Sequence, residues 1–228
     1  MAEHLAERGH ACHAFRRLLR ENLRLIFAAV AACVFIWLLE ELGEGELTKL
    51  DSGAYLLFVQ TLRQPWLTPY MASISELAQP VVLLVMLLAV EAFAPGRRPG
   101  ACAAVNLVCA AALNILLKQL IQRPRPDGFR LIAETGYSFP SGHSMAAMAF
   151  YGLLAWMVWH YERDRLVRWL CVAGFALVIV LIGISRIYLG VHYASDVIAG
   201  FCVSLVWLAL YTKLVVPLML DEGRAAAA

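Results

Sequence analysis

Residues 99–117 read PGACAAVNLVCAAALNILL, a stretch of 19 residues with no Asp, Glu, Lys or Arg, between Arg98 and Lys118. A helix that crosses the roughly 30 Å hydrocarbon core of a bilayer needs about 20 mostly apolar residues. This stretch therefore predicts a transmembrane helix with a cation at each end. The whole composition agrees, since 61% of the 228 residues are hydrophobic, whereas a soluble domain has about 45–50% apolar residues. A water-soluble globular protein is excluded.

Five further stretches without charged residues flank this one, at residues 25–39, 77–90, 135–161, 169–185 and 197–212. The shorter ones reach the length of a span with a charged residue at one end, whose side chain extends towards the headgroups. The stretch 135–161 is longer than one span and begins with polar residues, so its helix is predicted at about residues 144–160. The predicted fold is all-α: a polytopic membrane protein with a bundle of six transmembrane helices.

The Lys and Arg residues outside these spans predict the orientation. Twelve of the 19 lie on the side that carries both termini, and seven lie on the opposite side. Because cytoplasmic loops carry the excess of Lys and Arg, both termini are predicted to be cytoplasmic. The expected organisation is a basic cytoplasmic tail at residues 1–24, a membrane domain at residues 25–220 and a second cytoplasmic tail at residues 221–228. The expected location is the cell (inner or cytoplasmic) membrane.

The first loop, from about Glu40 to Glu76, is long enough to hold structure of its own. Apolar residues recur in it at helical spacing, with polar residues between them: Leu50, Ala54, Leu57, Phe58 and Leu62. This pattern predicts an amphipathic helix in the interface on the outer side of the membrane. Two roles stay open for this helix: it covers the bundle, or it admits a lipid.

The composition disfavours several kinds of ligand. Charged residues are 16% of the chain and the net charge is only +2, which disfavours nucleic acid as a partner. Five of the six cysteines lie in apolar stretches and no two form a CxxC pair, as is typical of buried thiols rather than of a zinc or redox site. No metal or other cofactor is expected, and no obligatory protein partner is implied.

Polar residues collect instead at the outer ends of the predicted helices. The first cluster is Lys118 and Arg125, the second is Ser141, Gly142 and His143, and the third is Arg186, His192 and Asp196. Each has an ordinary structural explanation on its own: the end of a helix, a solvated loop or a helix cap. Together they put three cations, two histidines and a carboxylate on the side of the membrane that usually avoids positive charge.

This combination predicts a phosphate site. A phosphate monoester carries nearly two negative charges, which Lys118, Arg125 and Arg186 would neutralise, with arginine suited to bidentate oxygen contacts. The second cluster stands at the start of a predicted helix, whose free N–H groups favour an anion. Two histidines then remain for chemistry, one to attack phosphorus and one to protonate the leaving oxygen. Asp196, four residues after His192, would orient its ring.

The three clusters resemble the motifs of the PAP2 superfamily, the type 2 phosphatidic acid phosphatases. The pattern K-x6-RP, PSGH and SR-x5-H-x3-D is complete here and stands in the same order. The resemblance implies a metal-independent phosphatase in which His192 is the nucleophile that forms a phosphohistidine, Asp196 is its partner and His143 is the general acid. It also implies that the other five residues of the clusters hold the phosphate: Lys118, Arg125, Ser141, Gly142 and Arg186.

Within the superfamily, the chain is most similar to bacterial phosphatidylglycerophosphate phosphatase B-type and undecaprenyl pyrophosphate phosphatase membrane enzymes. The implied activity is hydrolysis of the terminal phosphate of a membrane lipid (phosphatidylglycerophosphate, phosphatidate or undecaprenyl pyrophosphate) at the extracytoplasmic face. The motifs do not distinguish between these lipids. Two alternatives stay open: a lipid-to-lipid phosphotransferase on the same scaffold, and a non-enzymatic transporter of lipids or anions, which the clustering of charges at one face disfavours.

The stretch 99–117 itself holds two polar residues, Asn106 and Asn114. Hydrogen bonding between helices is the expected role of Asn106. For Asn114 the same role and support of Lys118, four residues later, both stay open.

Overall fold

The computed structural model describes residues 2–44, 48–93, 98–127 and 130–220, with the side chains of the first helix described from Asn22 onwards. Within these residues the chain is mainly helical and contains no strand. The elements are α1 (Ala2–Glu44), α2 (Thr48–Tyr55), a π-helical segment (Leu56–Thr61), α3 (Thr68–Glu76), α4 (Pro80–Phe93), α5 (Arg98–Ile121), α6 (Gly142–Tyr161), α7 (Arg165–Tyr188) and α8 (Ala194–Leu220). The backbone of α1 runs through the predicted tail at residues 1–24, and the predicted tail at 221–228 lies outside the described residues.

Four of the described helices are long and apolar enough to cross a membrane: α1 from Asn22 onwards, α5, α7 and α8. Helices α3 and α4 are separated by a short break and bent by 53°, and the pair counts as a fifth span if it crosses as one unit. The predictions of an all-helical fold and of a multi-pass membrane protein are therefore confirmed. Helix α6 corresponds to the remaining predicted span, and its crossing of the membrane stays a prediction.

The bend between α3 and α4 has a local cause. Residues 77–79 form a turn, and α4 begins directly after it at Pro80. Proline has no N–H to donate to a preceding turn, and its ring disfavours the α conformation in the residue before it. The predicted second span, residues 77–90, therefore starts at a break. Its 14-residue helix α4 is about 21 Å long, shorter than the hydrocarbon core.

Helix α6 packs against three other helices of the bundle, α5, α7 and α8. Its buried face includes Ala147, Ala149 and Leu153, none of which is exposed. At its N-terminal end, α8 approaches so closely that a Cβ added to Gly200 would stand 2.9 Å from the carbonyl oxygen of Ser141. Such contacts of small residues are typical of helices packed within membranes. They fix the start of α6 against α8, where the second and third polar clusters meet.

Two asparagines of α5 bond to neighbouring parts of the bundle. Asn106 donates from Nδ2 to the carbonyl of Ala149 in α6 at 2.7 Å, and its Oδ1 accepts from the indole of Trp207 in α8 at 2.8 Å. The interhelical role expected for Asn106 is confirmed. Asn114 donates from Nδ2 to the carbonyl of Pro140 at 3.1 Å. It also donates to Sδ of Met145 in α6 at 3.1 Å, so its bonds join α5 to α6 and to the loop before it, rather than to Lys118.

The predicted first loop, residues 40–76, holds the end of α1, then α2, the π-helical segment and α3. The last three all contact α7. Of the predicted apolar residues, Ala54 and Phe58 pack on an apolar cluster formed by α7 and α8. The others are exposed: Leu50, Leu57 and Leu62. Asp51, which the pattern places among the polar residues, is buried because it pairs with Arg123. A helix is present as predicted, and its position in the membrane interface stays a prediction.

Candidate active site

The three predicted clusters lie at one end of the bundle. Helices α5 and α7 reach this end with their last turns, which carry Lys118 and Arg186. Helices α6 and α8 reach it with their first turns, which carry His143 and Asp196. The alternating directions of these helices therefore bring residues that are distant in sequence to the same end, as in other helix bundles.

His192, in the connection between α7 and α8, lies against Asp196. Its Nδ1 is 3.4 Å from Oδ2 of Asp196 and 3.3 Å from the hydroxyl of Ser138, which itself donates to Asp196. Asp196 also accepts the backbone N–H of Tyr193 at 2.8 Å. The carboxylate thus caps the start of α8 and contacts His192 at the same time, so the structural explanation of the spacing is confirmed and the functional one stays a prediction.

The electrostatic environment of His192 favours an uncharged ring. Burial lowers the pKa of His192 from 6.5 to about 4, although Asp196 favours the charged form. At neutral pH the ring is therefore neutral. When Nδ1 carries the proton and donates to Asp196, the unprotonated nitrogen is Nε2. Nη1 of Arg125 lies 3.2 Å from this Nε2, and because a guanidinium can only donate, the lone pair of Nε2 accepts this hydrogen bond.

Backbone carbonyls hold two of the predicted cations. Arg125 donates three hydrogen bonds of 3.0 Å to carbonyl oxygens of the loop before α6 and of the α7–α8 connection: those of Thr135, Gly136 and Val191. Lys118 donates from Nζ to the carbonyl of Tyr137 at 2.7 Å. Because carbonyl oxygens carry no net charge, these contacts orient both cations without neutralising them.

Arg186 is the most deeply buried cation of the site, with 1% of its surface exposed. It donates from Nη1 to the hydroxyl of Ser75 at 2.7 Å and from Nη2 to the carboxylate of Glu134. Glu134 also lies 3.7 Å from Nη2 of Arg125. Burial raises the pKa of Glu134, but Arg186 and the neighbouring cations outweigh this effect and leave that pKa below its ordinary value. An anion of the protein therefore stands among the predicted phosphate-binding cations.

The Ser141–Gly142–His143 turn begins α6. Ser141 is the N-cap: its hydroxyl oxygen accepts from the N–H of Ser144, and its own N–H donates to the carbonyl of Asp196 at 3.0 Å. A Cβ at Gly142 would stand 3.1 Å from Oδ1 of Asn114, so the absence of a side chain lets this turn approach α5. The first N–H groups of a helix have no carbonyl one turn before them, which leaves them available to an anion.

Two buried nitrogens of the site, Nε2 of His143 and Nε of Arg186, have no hydrogen-bond partner within the described part of the chain. His143 interacts electrostatically with Arg186, Glu134, His192 and Lys118, which places it in the same site. A buried polar group without a partner costs free energy. Both nitrogens are therefore suited to a bound anion.

The structure adds polar residues that the motifs did not indicate: Asp51, Arg123, Glu134 and Ser138. Arg123 donates to Oδ1 of Asp196 at 2.6 Å and to Oδ2 of Asp51 at 2.7 Å. Arg123 had a signal in the sequence, because it lies two residues before Arg125 in the segment QRPRP. Glu134 and Ser138 lie in the segment directly before the second cluster. Asp51 had no such signal, since only the folded chain brings it to the site.

A cavity of about 420 Å³ adjoins the site between α1, α2 and the α7–α8 connection. Its walls include Leu42, Asp51, Tyr55, Arg123 and His192. Over the described ranges, no group of three or more His, Cys, Asp or Glu residues could hold a metal ion. The positive charges closest to His192 belong to arginine.

Known proteins share this sequence pattern and fold. The family model of the PAP2 superfamily matches residues 99–219. Phosphatidylglycerophosphatase B of Bacillus subtilis is 37% identical over 192 residues, which cover 81% of this chain and 88% of that protein. Lipid A 1-phosphatase of Rhizobium johnstonii is 32% identical over 120 residues, which cover 48% of this chain and 45% of that protein.

A solved structure has a fold similar to that of this chain. The crystal structure of the first transmembrane PAP2 type phosphatidylglycerolphosphate phosphatase from Bacillus subtilis matches with a TM-score of 0.71 and 28% identity, over 86% of this chain and 96% of that chain. The matched residues 99–219 contain all three polar clusters. The predictions of the family and of a phosphatase are therefore confirmed, and this chain belongs to the PAP2 superfamily.

Proposed function

We propose that this protein is an integral-membrane lipid phosphate phosphatase. Its substrate carries a terminal phosphate on a phospholipid or an isoprenoid (pyro)phosphate, such as phosphatidylglycerophosphate, phosphatidate or undecaprenyl pyrophosphate. The observation that carries the proposal is the placement of His192, with Nδ1 at 3.4 Å from Asp196 and Nε2 at 3.2 Å from Arg125. A lipid substrate is supported by the apolar helices and by the name of the Bacillus subtilis relative, phosphatidylglycerophosphatase B.

In the first step, the lone pair of Nε2 of His192 attacks phosphorus and the bond between phosphorus and the lipid oxygen breaks. His143 gives its proton to that oxygen, and the lipid alcohol leaves. For a pyrophosphate substrate, the leaving group is the lipid monophosphate. The product on the enzyme is a phosphohistidine, whose ring is positive while Nδ1 keeps its proton. Asp196 stabilises this positive ring, as a carboxylate does in a catalytic triad.

In the second step, water attacks the phosphohistidine and the bond between phosphorus and nitrogen breaks. His143 accepts the proton of this water, so it is ready to act as an acid again. Inorganic phosphate leaves, and His192 returns to its neutral form. A bound phosphate favours the protonated form of His143 in the first step, because a nearby negative charge stabilises an imidazolium.

The remaining residues of the clusters hold the phosphate oxygens. Lys118, Arg125 and Arg186 compensate the charge, and the unpartnered Nε of Arg186 is a free donor for one oxygen. The turn at Ser141 and Gly142 presents the first N–H groups of α6. These cations replace a metal ion in the proposed mechanism, which therefore needs no cofactor.

The test of this proposal is a panel of lipids with the purified protein. It should release inorganic phosphate from at least one of phosphatidylglycerophosphate, phosphatidate, lysophosphatidate, diacylglycerol pyrophosphate and undecaprenyl pyrophosphate, and kcat/KM identifies the preferred lipid. Release should continue in EDTA, because side chains neutralise the phosphate. A His192→Ala preparation controls for contaminating phosphatases.

Three outcomes of this panel would contradict the proposal. One is the absence of phosphate release from every lipid. Another is complete loss of release in EDTA that magnesium restores. The third is phosphate transfer that occurs only when an acceptor lipid is added, which would identify a lipid-to-lipid phosphotransferase instead.

The same proposal places residues 25–220 in the membrane as a domain of six spans, between cytoplasmic tails at residues 1–24 and 221–228. The spans are α1 from Leu25, the α3–α4 pair, and α5 to α8, with the active site on the extracytoplasmic face. The distribution of Lys and Arg supports this orientation. The exposed leucines of the first loop support a position of α2 and the π-helical segment in the outer interface.

A single cysteine at Asp127 tests the orientation in a variant without the native cysteines. Asp127 follows α5 and its side chain is fully exposed, so an impermeant thiol reagent should label Asp127→Cys from outside intact cells. Arg163→Cys, in the connection between α6 and α7, is the matched control on the other face and should react only after permeabilisation. The reverse pattern would show that the proposed topology is inverted.

A further inference from the structure

A row of buried charges lies behind the His192–Asp196 pair, and the mechanism above does not use it. Arg123 donates from Nη1 to Oδ1 of Asp196 at 2.6 Å and from Nη2 to Oδ2 of Asp51 at 2.7 Å. The side chain of Asp196 is fully buried, and those of Asp51 and Arg123 are 7% and 11% exposed. Removing one partner of such a pair leaves an uncompensated charge out of water, so each member constrains the others.

The two oxygens of the Asp196 carboxylate face different partners. Oδ2 accepts from the N–H of Tyr193 and lies beside Nδ1 of His192, whereas Oδ1 accepts from Arg123. Oδ2 also accepts from the hydroxyl of Ser138. Arg123 holds the opposite oxygen of the carboxylate, so it helps to fix the direction in which Oδ2 faces His192. A guanidinium suits this position, because its planar fork reaches two carboxylates at once and a lysine ammonium does not.

Asp51 acts on the same turn by a second route. Its Oδ1 accepts the N–H of Ser195 at 2.9 Å, and its Oδ2 accepts the hydroxyl of Ser195 at 2.8 Å. Ser195 directly precedes Asp196 in the first turn of α8, and its hydroxyl oxygen also accepts from Arg123 at 2.7 Å. Asp51 thereby ties α2 of the first loop to the turn that carries the catalytic carboxylate.

The charge balance gives Asp51 an electrostatic role as well. With Arg123 as its only charged neighbour, Asp196 would have less attraction left for His192 when that ring becomes positive. The carboxylate of Asp51, on the other side of the guanidinium, offsets part of the positive charge of Arg123. Asp196 therefore attracts the positive His192 ring more strongly than it would beside Arg123 alone. Burial opposes the charge of Arg123, but the two carboxylates outweigh it and raise the pKa of Arg123.

We propose that Asp51 and Arg123 are positioning residues that hold Asp196 against His192 and preserve its charge, which makes α2 part of the active site. The inference rests on the proposed phosphohistidine mechanism. Asp51 and Arg123 bond to each other, to Ser195 and to Asp196, not to the residues that hold the phosphate. Although both also line the cavity beside His192, their effect should therefore fall on the rate of phosphorylation and not on the binding of the phosphate group.

The test is the rate of phosphoenzyme formation in Asp51→Asn, measured by rapid quench with the preferred lipid. This variant keeps the shape of the side chain and an oxygen for Ser195, but it removes the charge. We expect the rate to fall about 10- to 100-fold, the scale seen when a partner behind a functional histidine is removed, with KM nearly unchanged. Arg123→Lys should show a similar loss. The double variant should lose little more than the larger single loss, because both residues act through Asp196.

Phe58→Ala is the matched control for a purely structural role. Phe58 packs on the apolar cluster of α7 and α8, so its loss loosens the same part of the first loop without touching Arg123. At an equal loss of thermal stability, Asp51→Asn should slow phosphorylation and Phe58→Ala should not. A wild-type rate in Asp51→Asn, equal slowing in Phe58→Ala, or additive losses in the double variant would overturn the inference. The absence of a phosphoenzyme in the wild type would overturn the proposed function itself.

Discussion

His192→Ala should abolish both turnover and the trapped phosphoenzyme. The substitution removes Nε2, the nitrogen that faces Arg125 and has the lone pair for attack on phosphorus. Deleting a nucleophile costs on the order of a millionfold in kcat when the catalytic residues act as a unit. Lipid binding should persist, because the cations that hold the phosphate remain. The measurement is acid-labile phosphate on the protein after rapid quench, together with kcat for the preferred lipid.

His143→Ala is the contrasting variant for this experiment. His143 is proposed to protonate the leaving oxygen, so its loss should slow cleavage of a lipid ester far more than cleavage of p-nitrophenyl phosphate, whose leaving group needs little protonation. Phosphoenzyme should still form in His143→Ala from the activated ester. A phosphoenzyme that forms normally in His192→Ala and disappears in His143→Ala would reverse the assignment of the two histidines.

Arg186→Lys should lower kcat by about 100- to 1000-fold, although the positive charge is kept; this is the scale for losing one donor to a charged transition state. Arg186 uses Nη1 for Ser75 and Nη2 for Glu134, which leaves Nε as the buried donor without a partner within the described residues. A lysine offers one compact ammonium in place of this planar fork. The loss should fall on kcat more than on KM, because the contact is made to the transition state.

Arg63→Lys is the control for this substitution. Arg63 donates to the carbonyl of Tyr188 near the same end of α7, and it is not one of the residues proposed to bind phosphate. A similar loss of kcat in both variants would point to a disturbed end of α7, and a near-normal kcat in Arg186→Lys would remove Arg186 from the transition state.

The parts of the site that the sequence predicts are those with local signals. His192 stands just before the start of α8 and Asp196 stands in its first turn, so a carboxylate that caps this helix start lies close to His192. The predicted helix at about residues 144–160 corresponds to α6, Gly142–Tyr161, because an apolar stretch between polar segments marks both of its ends. Lys118 and Arg186 follow from the ends of apolar stretches in the same way.

The parts that could not be predicted depend on contacts between distant segments. Asp51 has no periodicity that assigns it to the core, since the amphipathic pattern of its helix places it among polar residues. It is buried because α2 packs against α8, where Ser195 and Arg123 supply donors for both of its oxygens. Glu134 lies in a loop without regular structure, where no hydrophobic pattern indicates direction. Pro80 could have predicted the bend before it. The stretch at residues 77–90 has no charged residue to mark a break, so the sequence analysis treated it as one continuous span.

In the proposed phosphate site, the carboxylate of Glu134 lies close to the bound phosphate. Because Glu134 bonds to Arg186 and lies near Arg125, a phosphate that binds at Nε of Arg186 meets a negative charge that is already in place. Repulsion between the two anions lowers the affinity for any phosphate. A lipid gains the burial of its acyl or isoprenoid chain, whereas inorganic phosphate has no chain to bury. We therefore expect Glu134 to weaken retention of the released product and to favour the next lipid.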